Sequence, residues 1–295
     1  MNKGFFQNVC RDPSLLVARL TWLGKSRLPQ RMIAIPGAKL LYLPMPKAAS
    51  SSMVLMLSRL AAKEGLMTAT EAALSGRELR HALSRRTSLG RKRYSEARGL
   101  LDDPDFFRFT IVRNPWSRIL SAFLDKFVTT EPMPRIAARV VENIAAREGR
   151  EPDMEAGITF RTFVTWLSAQ EDTGLDQHWR SQSDLLGDLE FDRCFHLETL
   201  ATDLPQALAA HGLEIAAPKV HASRYGSDQS LGGHAADAVR SELRKLSANP
   251  PAVAFYDQEL TALVGERYQE DTMRFEYGPA DAGLELRAPS EIGER

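Results

Sequence analysis

Cysteine is scarce in this sequence: 295 residues contain two, Cys10 and Cys194. Two thiols build neither a disulfide framework nor a four-thiolate metal site, and such scarcity suits a reducing cytoplasm. Net charge is absent as well. The 38 basic residues cancel the 38 acidic ones, so bulk charge singles out no partner and gives no ground to expect nucleic acid. Long apolar runs are missing: none approaches the roughly 20 residues that cross a bilayer. Arg11, Asp12, Pro13 and Arg19 interrupt any apolar signal core near the start. The six histidines show no metal-ligand spacing, so no metal is expected. These absences predict a cytoplasmic protein without a transmembrane segment.

What is present, 43% hydrophobic and 26% charged residues, is the balance of a globular chain. Residues 1–30 read as an extension with a helical pattern around Leu15–Leu23. Two apolar runs, MIAI and KLLYLPM, flank Pro36-Gly37 and predict a hairpin or turn. A helix is expected through MVLMLSRLAAKEG, capped by Ser51 or Ser52 and stopped by Gly65. Residues 70–101 read as helical and basic. FRFTIVR (107–113) predicts a buried strand, followed by Asn114 as cap, Pro115 at the first helical position, and a helix WSRILSAFLDKF. Further helices fit 135–148, 159–170, 236–247 and 252–269, with a strand at CFHLE (194–198) before a helix from Thr199. The polar stretch after Gly278 reads as a disordered tail. The expected organisation is an extension (1–30), one domain (31–278) and a tail (279–295). Strands alternating with helices predict an α/β fold with a central, mostly parallel sheet flanked by helices, binding ligands at the carboxyl ends of its strands.

Two strand–loop–helix junctions carry the candidate chemistry. In PKAASSS, residues Pro46, Lys47, Ala48, Ala49, Ser50, Ser51 and Ser52 pair a mobile cation with small residues, hydroxyls and a helix N-terminus. That combination suits a phosphate or sulfate, although such loops also serve merely as caps. A nucleotide-hydrolysing P-loop requires GxxxxGK[ST]; no glycine lies between Gly37 and Gly65, and the lysine opens the loop instead of closing it. In VRNPWSRILSAF, Arg113 ends a strand and can curl over the following helix toward Ser121, so that guanidinium and hydroxyl grip one phosphate. The run Arg77, Arg80, Arg85, Arg86, Arg91, Lys92, Arg93 and Arg98 faces only Glu78 and Glu96. It could meet an anionic ligand or be a solvated helix face.

Together the two junctions resemble the signature of the carbohydrate sulfotransferases, most nearly the Golgi group that sulfates chondroitin and dermatan. PKAASSS is similar to that family's PKxGxTS, and Val112–Phe127 to its VRxPxxRxxSAFxxKF. Weaker likenesses are DQHWRSQ (176–182), FDRCFHLETLATDL (191–204), HASR (221–224) and RYQEDTMRFEYG (267–278). The resemblance implies a P-loop-kinase-like sulfotransferase fold and transfer of a sulfuryl group from 3′-phosphoadenosine 5′-phosphosulfate (PAPS) to a carbohydrate or glycoconjugate hydroxyl. It implies Lys47 and the loop serines at the 5′-phosphosulfate. Arg113 and Ser121 would hold the 3′-phosphate, with Ser223 and Arg224 also at the nucleotide. His81 and His178 are the two candidate general bases, and Trp179 or Arg180 could line an acceptor groove. Ala49 stands where the family has glycine, and His221 where it has asparagine. The family's membrane anchor and lumenal cysteines are missing, which points to a bacterial-type cytoplasmic relative. Rival readings are a nucleotide or sugar kinase, which would need ATP and magnesium, and a non-catalytic nucleotide- or glycan-binding protein.

Overall fold

The computed structural model describes residues 31–215, 235–246 and 250–284. In chain order these form β1 (Ile33–Ile35), β2 (Leu40–Leu43), α1 (Ser50–Lys63), α2 (Ala69–Ala72), α3 (Gly76–Thr87), α4 (Tyr94–Asp102) and β3 (Phe107–Val112). There follow α5 (Pro115–Phe123), α6 (Arg135–Arg147), α7 (Phe160–Ser168), α8 (Gln182–Leu186), β4 (Arg193–His196), α9 (Leu200–Ala210), α10 (Arg240–Leu243), α11 (Gln258–Arg267) and α12 (Gln269–Arg274). By its contacts the chain divides into two compact units, Met1–Val112 with Asp184–Val220, and Arg113–Ser183 with His221–Arg295.

The first unit holds a four-stranded sheet in the order β1-β2-β3-β4. The turn at Pro36-Gly37 folds β1 antiparallel onto β2, pairing Ile35 with Leu40. β2, β3 and β4 then run parallel, with Leu43 beside Thr110 and Val112 beside His196. The apolar runs make this sheet because both faces are covered: all four residues of β2 and five of the six in β3 are buried. Thr110, polar and buried in β3, donates its hydroxyl to the Leu43 carbonyl at 3.0 Å. The mostly parallel α/β sheet expected from the alternation of strands and helices is therefore present.

α1 ends as its sequence predicts. Gly65 takes φ +70, and the amides of Gly65 and Leu66 bond the carbonyls of Ala62 and Ala61 at 3.1 and 2.8 Å, a Schellman closure. Its start differs from the expected serine cap. The helix begins at Ser50 with Ala49 in the N-cap position, so Ser51 and Ser52 lie inside the first turn. The stretch 70–101, expected to be helical and basic, is helical in three pieces, α2, α3 and α4, separated at 73–75 and 88–93. Thr68 and Glu71 close a capping box on the one-turn α2, and Gly76 at φ +52 opens α3.

The second unit is helical and packed on aromatics. Phe123, Phe127, Phe160, Phe163, Trp179 and Phe255 interlock with ring centroids about 5–6 Å apart. Each such buried side chain contributes about 1.5–3 kcal/mol. Trp116 and Phe123 are core residues of α5. The helices expected over 236–247 and 252–269 are shorter: α10 spans one turn, and α11 starts at Gln258, after its N-cap Asp257, whose carboxylate accepts the Leu260 amide at 2.8 Å. Order also continues beyond Gly278, where a tail was expected. Pro279–Ala282 form a 3-10 turn, and Leu284 is buried. Among the described residues no helix is long and apolar enough to cross a membrane.

Candidate active site

Parallel pairing of β2 with β3 puts their carboxyl ends at one edge of the sheet. Lys47 follows the end of β2 by four residues, and Arg113 is the residue after β3. In the first junction the Ala48 amide bonds the Met45 carbonyl at 3.3 Å. The backbone turns left-handed at Lys47 (φ 67) and again at Ala49 (φ 53). The Ala49 carbonyl accepts the first helical bond, from Met53 at 3.0 Å. The amides of Ser50 and Ser51 therefore precede the first intrahelical donor, the Met53 amide, at the positive end of a 14-residue helix. The glycine of the family motif is accounted for by this geometry, since position 49 needs a conformation that alanine adopts only at a cost.

At the second junction Asn114 is fully buried and caps α5, accepting from the amides of Trp116 (3.1 Å) and Ser117 (3.4 Å). Its side-chain amide donates to the Gly278 carbonyl at 2.8 Å. Gln182 pins Arg113 through both backbone groups, accepting from its N–H at 2.9 Å and donating to its carbonyl at 2.8 Å. Thus the Arg113 guanidinium is launched from a fixed point. It curls over the first turn as the sequence predicts, but its Nε meets the Ser117 hydroxyl, at 2.9 Å. Ser117 and Ser121 are the only residues of α5 that are not buried, and they lie four apart on one face. Reading the motif alone singles out Ser121 and misses Ser117. The i+4 spacing from Arg113 was the available signal.

Arg118 of the same motif is wholly buried. It donates to the Arg180 carbonyl at 2.8 Å and to the Gln177 carbonyl at 2.9 Å. Burial pushes its guanidinium pKa down, while Tyr268, Asp271 and Asp172 oppose the shift. Arg118 therefore holds the segment 176–182 against α5. Asp271 holds it from the other side, accepting from the amides of Gln182 (2.8 Å) and Ser183 (2.7 Å). The Tyr268 hydroxyl donates to the Trp179 carbonyl. The closing motif RYQEDTMRFEYG thus works as a clamp.

Inside the clamped segment, Asp176 Oδ1 lies 2.5 Å from His178 Nδ1 and also accepts the His178 amide at 3.0 Å. Burial pushes the Asp176 carboxyl up, but the His178 bonds outweigh it, and the carboxyl sits below its usual range. A carboxylate at Nδ1 fixes the ring and leaves Nε2 as its basic nitrogen. The side chain of His178 is 20% exposed. Trp179, expected at an acceptor groove, is instead core: it is 1% exposed and packs on Phe127 and Phe163. His81 is exposed on α3, whereas its neighbour Arg80 reaches the first junction, donating from Nη2 to Ser51 Oγ at 3.0 Å. Ser223, Arg224 and His221 lie outside the described residues. Among the described residues no cluster of three or more histidines, cysteines or carboxylates could hold a metal.

The sequence model of the sulfotransferase family matches residues 30–278. The chain belongs to the sulfotransferase family. It is 30% identical over 224 residues to carbohydrate sulfotransferase 10 of Gallus gallus, covering 70% of this chain and 59% of the relative. It is 28% identical to the Homo sapiens protein of the same name, covering 70% and 60%. With the Danio rerio protein it shares 34% identity over 126 residues, 37% of this chain and 33% of that one. The chain therefore spans about three-fifths of the length of the relatives matched most extensively. No solved structure matches it. Both junctions, the Asp176–His178 pair and the Tyr268–Asp271 clamp all fall within the stretch that the sulfotransferase model covers.

Proposed function

We propose that this sulfotransferase moves a sulfuryl group from PAPS to a carbohydrate hydroxyl and releases adenosine 3′,5′-bisphosphate. The observation that carries the reading is the first junction. The residues matching the family's 5′-phosphosulfate motif sit in a left-handed loop that opens the positive end of a 14-residue helix, beside a lysine. In this reading Lys47 neutralises the charge that grows on the oxygen bridging sulfur and the 5′-phosphate, while Ser50, Ser51, Ser52 and the loop amides hold the phosphosulfate oxygens. Arg113, with Ser117 and Ser121, holds the 3′-phosphate, which separates PAPS from ATP. His178 takes the proton of the acceptor hydroxyl at Nε2. The acceptor oxygen bonds to sulfur while the sulfur–bridging-oxygen bond breaks, and that electron pair leaves with the bisphosphate. The Asp176 contact favours His178 over His81 as base, because only an oriented imidazole presents its lone pair in a fixed direction.

The test is thermal. Adenosine 3′,5′-bisphosphate without magnesium should raise the melting temperature, because a ligand that binds only the folded state stabilises it by mass action. ATP should leave it unchanged, and Arg113→Ala should weaken bisphosphate binding about tenfold or more. Stabilisation by magnesium-ATP alone would replace this reading with a kinase. Transfer of labelled sulfuryl from PAPS to a panel of glycans then identifies the acceptor.

A further inference from the structure

We propose that Arg80, outside both motifs, is the second cation of the donor cradle and binds the phosphosulfate end of the nucleotide. The inference rests on the donor reading above. A phosphosulfate group bears two negative charges, one on the phosphate and one on the sulfuryl oxygens, and Lys47 supplies only one positive charge. Arg80 supplies the other from α3. Its Nη2 stands 3.0 Å from the Ser51 hydroxyl, at the second residue of α1. An anion seated on the first-turn amides of α1 therefore comes within reach of this guanidinium. That one hydrogen bond uses one of the five N–H groups of the fork.

The rest of the basic run behaves differently. Arg86, Lys92 and Arg98 pair with Glu71, Glu96 and Asp102. Arg77, Arg85, Arg91 and Arg93 are exposed. Arg80 is half-buried and meets no carboxylate within 4.0 Å among the described residues. A second observation puts its charge near Tyr42 of β2. The Tyr42 hydroxyl is buried without a hydrogen-bond partner among the described residues; burial pushes its pKa up, and the charge of Arg80 pulls it back down. Arg80 thus reaches the first turn of α1 and acts on the strand that enters the loop, with no carboxylate paired to it among the described residues.

The test compares two nucleotides by titration calorimetry at fixed ionic strength: adenosine 3′,5′-bisphosphate and adenosine 3′-monophosphate, which lacks the 5′-phosphate. Wild-type protein should prefer the bisphosphate. Arg80→Ala should shrink that preference about tenfold and leave affinity for the monophosphate unchanged. Arg80→Lys keeps the charge without the fork and should recover part of the preference. Arg113→Ala should weaken both nucleotides alike. Arg80→Gln, closer in length, repeats the measurement should the alanine variant fold poorly. An unchanged preference in the Arg80 variants, or equal weakening of both nucleotides, overturns the assignment while leaving the donor reading intact. Binding of neither nucleotide by wild-type protein overturns both.

Discussion

At the scale of single residues, the sequence made the candidate groups visible but not their partners. Lys47 and Arg113 stand out because each follows an apolar strand and precedes a helix, a local pattern. Ser117 was passed over for Ser121 because the direction of a guanidinium depends on how its backbone is pinned, and Gln182, which pins it, lies 69 positions away. His178 gains its standing from Asp176 only when the turn between them is seen, and His81 loses standing because it is exposed. His178→Ala should therefore lower turnover at saturating donor by about a hundredfold or more, whereas His81→Ala should leave it close to wild type; equal losses in single-turnover assays would remove the distinction. Ala49 offers a test of backbone strain. At φ 53 and ψ 15 it occupies the left-handed region, where alanine costs about 1 kcal/mol relative to glycine. Ala49→Gly should raise the melting temperature by about 2–4 °C, read by calorimetry, and a lower one would mean the loop relaxes around the alanine methyl.

At the scale of elements, strands and caps were legible and long-range clamps were not. β3 falls where its apolar run predicts, and Asn114 and Pro115 start α5 as their chemistry requires. Helix breaks within 70–101 were hidden because the composition stays helix-compatible through them: α2 ends at Ala72, α3 restarts at the left-handed Gly76 and ends at Thr87, and α4 begins only at Tyr94. Arg118 shows the limit most clearly. Within the motif it reads as one more cation near a phosphate, yet it is fully buried and spends its donors on the carbonyls of Gln177 and Arg180. Its role is to position the segment carrying His178. Arg118→Met keeps most of the volume but removes the guanidinium that donates to the carbonyls of Gln177 and Arg180, which should cost about 2–4 kcal/mol in urea unfolding. The surviving folded protein should lose turnover more than affinity for adenosine 3′,5′-bisphosphate. A fall in affinity alone would make Arg118 a ligand of the donor instead.

At the scale of the whole molecule, the sheet and the helical unit come from local patterns, while their tolerance of acid is set by contacts that no local pattern reveals. Asp172 accepts from Arg267 Nη2 at 2.6 Å and from the amide and hydroxyl of Ser181 at 2.9 and 2.6 Å. Burial pushes its carboxyl up, but those bonds outweigh it, so both Asp172 and Asp176 lie below their usual value of 3.8 in the folded state. The unfolded chain then takes up these protons first as the pH falls. Their stabilisation is complete above the ordinary carboxylate range and is lost as the pH drops through that range toward the depressed native values. Asp172→Asn removes the charge at every pH. The variant should be less stable than wild type at pH 7, and the gap should narrow steadily below about pH 4, as the unfolded wild-type chain takes up the Asp172 proton and, lower still, the folded carboxyl does so too. Denaturant melts at several pH values measure the gap directly. A gap of constant size across the acid range would mean that Asp172 contributes through shape and hydrogen bonding alone, and that its charge plays no part in holding Arg267 and Ser181 together.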